Sequence, residues 1–115
     1  MTITRIDQNG RRSRAVVHQG TIYFAGQVGD DWTCGAAEQA AQALARVDRI
    51  LAELGSDRSK VLSATIWLKS MQDYDAVNAV WDQWIDRNAC PARAAGVVEM
   101  ADPNILVEFI LIAAQ

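Results

Sequence analysis

The chain has 115 residues, the size of a single domain with its own apolar core, and we predict one domain over residues 1–115. Its net charge of −3 and the lack of an extended Lys/Arg run argue against nucleic-acid binding. No stretch approaches the roughly 18 apolar residues of a membrane span, and the first residues lack the apolar core of a signal peptide. We therefore expect a cytoplasmic protein that binds neither nucleic acid nor membrane.

The first half of the chain predicts a β-hairpin followed by a helix. Two β-rich runs, "RAVVHQG" and "TIYFAGQV", are divided at Gln19-Gly20, which is a hairpin signal, and "TITRI" is a possible earlier strand. The polar stretch "GDDWTCG" is typical of a loop. Apolar residues then recur at helical spacing from Ala36 to Leu54, and Gly55 suits the position after a helix end.

The second half predicts a strand, a second helix and two closing strands. The run "VLSATIWLKS" is typical of a strand, and "MQDYDAVNAVWDQWIDRN" contains a helix with Asp73 as its N-cap. The apolar face of that helix is formed by Tyr74, Val77, Trp81 and Trp84. The last strands, "ARAAGVVEM" and "ILVEFILIAA", are separated by the turn-forming "ADPN".

This order predicts an α+β domain in which both helices pack on one face of a mixed sheet. Alternate positions of the last strand form two faces that are both largely apolar. These faces are Leu106, Glu108, Ile110 and Ile112 on one side and Val107, Phe109 and Leu111 on the other. Because two helices can cover only one face of a sheet, we expect further copies of the protein to cover the other, in a homo-oligomer.

Few residues offer catalytic chemistry by themselves. His18 is the only histidine and lies at a strand end, so an edge or surface role is favoured over catalysis. Cys34 and Cys90 match neither a metal spacing nor a disulfide framework, so we expect free thiols, and Cys90 lacks an activating neighbour. The glycine of "AGQV", Gly26, favours a bulge or close packing over a phosphate-binding loop.

The four tryptophans are many for a chain of this length. Trp67, Trp81 and Trp84 fall on predicted core faces, so we expect all three to pack in the core. Trp32 lies in the predicted loop and is a candidate lid over a pocket.

Arg93 and Glu108 place a guanidinium and a carboxylate among residues that otherwise favour burial. One interpretation is a salt bridge at a sheet edge or subunit interface, with Arg93 paired to Glu108 or Glu99. The other is a carboxylate anchor, since a guanidinium held at a strand start can bind a ligand carboxylate through two parallel hydrogen bonds. The residues alone leave both interpretations open.

Three segments together resemble the reactive intermediate deaminase family, also called RidA or YjgF. The run "AVVHQGTIYFAGQV" resembles the family's hairpin, and "ILAELGSDRSKVLSATIWLKSMQDYDAVNAVWDQW" resembles its helix, strand and second helix. The end, "PARAAGVVEMADPNILVEFILIA", resembles the family's closing strands. The match is collinear from about Val16 onwards, and "MTITRID" and "ADPN" resemble a branch typified by YoaB.

The resemblance implies a chorismate-mutase-like α+β fold, assembled as a homotrimer with pockets in the clefts between subunits. Central members of the family hydrolyse reactive enamines and imines to a 2-oxo acid and ammonia, and no cofactor or metal is implied. The ligand implied for this protein is a small carboxylate-bearing molecule, an imino acid or a 2-oxo acid.

The resemblance also implies site residues. Arg93 takes the place of the arginine that binds the substrate carboxylate, and Arg12 that of a tyrosine reaching into a neighbouring pocket. Ala25 replaces a serine at the strand end that lines the pocket, and Ala95 replaces a cysteine. The candidate substrate-binding residues are Arg12, Ala25, Gly26, Gln27, Trp84, Arg93, Ala95 and Ile110.

One departure concerns the glutamate that holds the attacking water in central members. Ile110 takes its place, and Glu108 aligns with an earlier glutamate of the same strand motif. The two positions share a strand face about 7 Å apart, so Glu108 joins Arg93 as a candidate catalytic residue.

Three functions stay open from the sequence. The first, which we favour, is an imine or enamine deaminase with measurable activity on small imino acids that is below that of central members. The second is a non-catalytic trimer that binds or senses carboxylates, with the hydrolytic glutamate lost at Ile110. The third is a hydrolase for a bulkier or more acidic substrate, with Arg12 as a second cation near Arg93.

Overall fold

The structure is a computed structural model that describes residues 2–115; Met1, part of the predicted domain, lies outside the described residues. The strands and helices are β1 (Ile3–Ile6), β2 (Ala15–His18), β3 (Thr21–Phe24), α1 (Ala36–Glu53), β4 (Val61–Leu68), α2 (Tyr74–Trp84), β5 (Ala92–Val97) and β6 (Val107–Ala114). Every predicted strand and helix is confirmed, including the strand near the start. Neither helix of residues 2–115 is long and apolar enough to cross a membrane.

The predicted hairpin joins β2 to β3 through Gln19 and Gly20. Both residues have positive φ, at 53° and 77°, as the type I′ turn of a two-residue hairpin requires. Such a turn sets the register of the two strands, and side chains alternate between the two faces of the sheet. The four buried side chains of this hairpin are those of Ala15, Val17, Ile22 and Phe24.

The six strands form one mixed sheet in the order β1-β2-β3-β6-β4-β5. Neighbouring strands are antiparallel except β4 and β5, which are parallel and are joined through α2. The last strand of the chain, β6, is inserted between β3 and β4, whereas β5 lies at the sheet edge. Arg93 therefore lies on an edge strand.

Both helices bury their apolar faces against the same side of the sheet and form one core. Helix α1 contributes Ala40, Ala43, Leu44, Val47 and Leu51, helix α2 contributes Val77, Trp81 and Trp84, and β6 contributes Val107, Phe109, Leu111 and Ala113. The ring of Trp81 stacks on that of Phe109 with centroids 6.0 Å apart. Gly55, at φ 74°, follows the end of α1 as predicted, because glycine adopts this left-handed conformation at little steric cost.

The opposite side of the sheet, the open face, is not covered by either helix. Tyr23 is 47% exposed and Trp67 is 38% exposed on this face, and Ile110 and Ile112 are half-buried there. The prediction that Trp67 packs in the core is therefore wrong. Trp67 pairs with Glu108 across the β4–β6 ladder, and this register turns it away from the helices.

Candidate functional site

The Arg93 side chain lies on the helix side of the sheet, where α2 holds it. Its strand partner is Ala64, which is buried on that side. One guanidinium nitrogen, Nη2, donates hydrogen bonds to Asn78 Oδ1 at 2.8 Å and to the Tyr74 hydroxyl at 3.4 Å. The guanidinium carbon lies 5.6 Å from the centroid of the Trp81 ring, within cation–π range. Helix α2 therefore holds this half-buried guanidinium by three contacts.

None of the groups that hold Arg93 carries a negative charge. The predicted salt bridges to Glu108 and Glu99 do not form within residues 2–115, where all the ion pairs involve other arginines. The Nε and Nη1 atoms of Arg93 have no hydrogen-bond partner among these residues. A half-buried charge in this state favours an anionic ligand, because the ligand would supply both the missing charge and the missing acceptors.

Sequence reasoning missed two of the side chains that support Arg93. Tyr74 and Asn78 are separated by four residues, so they lie on one face of α2, and Trp81 follows one turn later. The segment "MQDYDAVNAVWDQWIDRN", which predicts the second helix, contains both residues. Helical spacing between polar residues was the available signal, but it did not identify the arginine that they face.

Gly26 and Glu108 are in direct contact on the open face. Between the pairs Tyr23↔Ile112 and Gln27↔Phe109 the register slips by one residue, which is the predicted bulge. A Cβ atom on Gly26 would overlap the Glu108 carboxylate, so any other residue at this position would require that side chain to move. The glycine therefore allows the Glu108 carboxylate to rest against the strand end.

The Glu108 carboxylate is half-buried and makes no hydrogen bond or ion pair with the described residues. Burial raises its pKa above the ordinary value of a glutamate. The carboxylate lines a cavity of about 510 Å³ together with Trp67, Val98, Glu99, Met100 and Ala101. A carboxylate with a raised pKa beside a cavity is suited to accept and return a proton.

Gln27 stabilises the bulge through backbone and side-chain hydrogen bonds. Its backbone N–H donates to the Phe109 carbonyl at 2.8 Å, and the Phe109 N–H donates back at 2.9 Å. Its side chain is 3% exposed and donates from Nε2 to the Ala25 carbonyl at 2.8 Å. The Gln27 amide therefore holds the strand end in shape from inside the protein.

A second cavity, of about 310 Å³, lies beside the same bulge. It is lined by Arg12, Arg14, Arg46, Ala25, Gly26 and Gln27, and we call it the basic pocket. The structure thus brings together Arg12 and the Ala25–Gln27 strand end within one chain, whereas the resemblance implied only that Arg12 reaches into a neighbouring pocket. The positive charge of the pocket comes from three arginines, two of which sequence reasoning did not select.

The remaining candidate residues lie in three different places. Ile110 pairs with Thr65 on the open face, the same face as Glu108. Ala95 is exposed on β5, two residues after Arg93. Trp84 is buried, and its Nε1 donates to Asp48 at 3.0 Å, so its contacts are those of a core residue. Its role in binding substrate stays a prediction.

Arg93 and Glu108 are not brought together within one chain. Arg93 extends toward the helices, and Glu108 lies on the open face beyond the sheet. A strand backbone separates the two groups because their positions have opposite orientation in the sheet. The described chain therefore keeps these two candidate groups in separate regions, which we call the Arg93 half-site and the Glu108 half-site.

The cysteines of the structure are free, as expected. Contacts with the carboxylates of Glu38 and Asp31 raise the pKa of the Cys34 thiol to about 11, which keeps it protonated at neutral pH. Within residues 2–115 no group of three or more His, Cys, Asp or Glu side chains is arranged to hold a metal ion.

Comparison with known proteins gives consistent results over the whole chain. The family model described as Endoribonuclease L-PSP matches residues 2–115. RutC family protein YoaB of Escherichia coli strain K12 is 38% identical over 114 residues, which covers 99% of both chains. A Capra hircus protein named 2-iminobutanoate/2-iminopropanoate deaminase is 38% identical over 112 residues, covering 92% of this chain and 81% of that protein. The crystal structure of NMB1025 from Neisseria meningitidis, a member of the YjgF protein family, has a TM-score of 0.94 at 41% identity, covering 100% of this chain and 96% of that chain.

Proposed function

Because the chain belongs to the endoribonuclease L-PSP family, which includes the RidA and YjgF proteins, we propose that it hydrolyses small reactive 2-imino acids to 2-oxo acids and ammonia. The observation that carries this proposal is the Arg93 half-site, a guanidinium held by neutral groups, with two donor nitrogens that have no partner among residues 2–115. A relative named as an imine deaminase supports the reaction type. The net charge of −3 argues against RNA as the ligand.

In the proposed reaction Arg93 binds the substrate carboxylate through two parallel hydrogen bonds. This fixes the neighbouring imine carbon in one position, so that water attacks an oriented C=N bond. Water adds to the carbon, ammonia leaves, and the C=N bond is replaced by C=O without any change in oxidation state. Glu108 takes a proton from the attacking water and returns it to the leaving nitrogen, a role that suits its raised pKa.

The proposed active site is a cleft between subunits of a homotrimer. Since Arg93 and Glu108 lie on opposite faces of one sheet, a pocket that uses both requires two copies of the chain. The open face, with Tyr23, Trp67 and Ile112, is the apolar surface that a neighbouring copy would cover. Light scattering at micromolar concentration tests this assembly, and a monomer there would contradict it.

The second candidate is a trimer that binds carboxylates without catalysis. It is favoured by Ile110, which is apolar and pairs with Thr65, so that no carboxylate stands at this position of the open face. In that case the Arg93 half-site alone would determine function, and Glu108 would have no role in water activation.

The deciding experiment follows the lifetime of 2-iminopropanoate released by an amino-acid oxidase, with and without the purified protein. We expect faster decay with the protein and a further gain in the Ile110→Glu variant, provided that this variant keeps the oligomeric state of the wild type. Calorimetry with pyruvate is run in parallel. Binding without any acceleration, in both proteins, would establish the second candidate instead.

A further inference from the structure

The basic pocket has more positive than negative charge. Arg14 pairs with Asp7 at 3.1 Å, and Arg46 pairs with Asp30. The side chain of Arg12 has no partner among residues 2–115. Three guanidinium groups are thus matched by two carboxylates, and one positive charge is left over.

The two ion pairs of the pocket are also weakly held. The carboxylates of Asp7 and Asp30 are both mostly exposed, and ion pairs in such positions contribute little free energy. The buried Nε of Arg14 faces Asp7 without making an aligned hydrogen bond. The pocket therefore retains the capacity to bind one more anionic group, and a single excess charge suits a carboxylate better than a phosphate dianion.

The basic pocket adjoins the Glu108 half-site. Gly26 lines the pocket, and the Glu108 carboxylate rests against the same glycine. A substrate whose imine carbon reacts beside Glu108 would extend its other end past Gly26 toward the guanidinium groups. The methyl group of a simple imino acid would leave the Arg12 guanidinium without a partner.

We infer that the basic pocket binds a second carboxylate, so that the substrates of this protein are dicarboxylic 2-imino acids. This inference rests on the proposed function, since it extends the same active site. The reaction is the same hydrolysis: water adds to the imine carbon, ammonia leaves and a 2-oxo dicarboxylic acid forms. The reaction that supplies such a substrate is the oxidation of an acidic amino acid at its amino-bearing carbon.

The test compares 2-iminosuccinate, released by an aspartate oxidase, with 2-iminopropanoate, released from alanine. We expect the wild type to have a higher kcat/KM for the dicarboxylic imine. The Arg12→Ala variant should lower the ratio of the two kcat/KM values about tenfold, the effect of losing one hydrogen bond between charged groups. Arg12→Lys should restore part of the ratio, because it keeps the charge but not the planar fork.

Arg11→Ala is the matched control, because Arg11 is exposed, adjacent in sequence and outside the pocket lining. It removes the same charge and should leave the ratio unchanged. The inference would be overturned if the protein hydrolyses both imines and the ratio of their kcat/KM values is the same in wild type and Arg12→Ala. That outcome would leave the proposed function intact.

Binding measurements separate failure of the inference from failure of the proposed function. If neither imine decays faster with the protein, the proposed function fails, and calorimetry with oxaloacetate and pyruvate still tests the pocket. Tighter binding of oxaloacetate that is lost in Arg12→Ala supports the second carboxylate site. Equal binding of the two acids, or no binding, overturns it. It is also overturned if inorganic phosphate competes with oxaloacetate more strongly than succinate does, in a way that depends on Arg12.

Discussion

Two arginines of this protein stack on neighbouring tryptophans of α2, yet their surroundings differ. Arg58 lies 5.3 Å from the Trp84 ring, donates to both carboxylate oxygens of Asp48 at 2.9 Å and also donates to the Trp84 carbonyl. Those bonds to Asp48 raise the pKa of Arg58. Arg93 lies 5.6 Å from the Trp81 ring and has only a hydroxyl and an amide as polar partners.

The difference separates an arginine with a structural role from the one that we propose to bind a ligand. Arg58 has its counter-ion within the chain, and its hydrogen bonds join α1, the Arg58–Lys60 turn and the end of α2. Arg93 is also held by hydrogen bonds and an aromatic ring but has no counter-ion among the described residues. Stacking on an aromatic ring therefore does not indicate function, whereas an oriented guanidinium that lacks an anion does.

The largest effect is expected for Arg93→Ala. This variant should weaken binding of a 2-oxo acid about 100-fold or more, because two hydrogen bonds between charged groups are lost. Arg93→Lys should also bind poorly, since an ammonium cannot reproduce the bidentate geometry. Calorimetry measures both, and Arg87→Ala, which removes an exposed arginine from the loop before β5, is the control. Unchanged binding in Arg93→Ala would make Arg93 structural, like Arg58.

Asn78→Asp should give Arg93 a counter-ion within the chain, as Arg58 has in Asp48. The introduced carboxylate would stand where Oδ1 accepts the 2.8 Å hydrogen bond, and a ligand would then compete with it. We expect about tenfold weaker binding of 2-oxo acids without loss of stability. Asn78→Ala removes the hydrogen bond to Arg93 without adding charge. It therefore separates competition by the new carboxylate from misplacement of the Arg93 side chain. Tighter ligand binding in Asn78→Asp would contradict the importance of the missing counter-ion.

Arg58→Ala should affect stability and leave ligand binding unchanged. Loss of its hydrogen bonds to Asp48 and the Trp84 carbonyl should lower the free energy of unfolding by about 1–2 kcal/mol, a small value because the ion pair is partly exposed. Urea unfolding at one fixed protein concentration measures it. The exposed Arg49→Ala on α1 serves as the reference, and equal loss in both variants would show that the Arg58 network adds nothing.

The smallest expected effect is a change in how stability depends on pH when Glu108 is replaced. Burial raises the pKa of Glu108 in the folded state. At pH values between the ordinary and the raised pKa, the folded protein therefore retains a proton that the unfolded chain has released. Its favourable contribution to stability is present below the ordinary glutamate pKa and is lost as pH rises through the raised value. Glu108→Gln should therefore be more stable than wild type at pH 7, and the difference should shrink as pH falls toward 4.

Glu99→Gln removes an exposed carboxylate from the same cavity lining and is the control for this pH dependence. Thermal or urea unfolding across the pH range gives the comparison. A constant difference between Glu108→Gln and wild type at all pH values would mean that Glu108 does not titrate differently in the folded protein.

The sequence by itself determined the strands, the helices and their order. The hairpin at Gln19-Gly20, the helical face from Ala36 and the glycine at position 55 are local signals, because turn geometry and side-chain periodicity depend on neighbours along the chain. The two apolar faces of β6 were readable for the same reason, and the structure confirms them. The resemblance selected Arg93 as the carboxylate anchor, which stays a prediction, and Gly26 was expected at a bulge or in close packing.

Only the tertiary structure decided which groups meet. Trp67 belongs to the open face because β4 pairs with β6 in one register, and an apolar run does not reveal which alternate set meets the helices. The neutral support of Arg93 by α2 and the meeting of Arg12, Arg14 and Arg46 depend on elements far apart in the chain. Periodicity encodes the face on which a side chain lies, whereas its partner across the fold is set by how the elements pack.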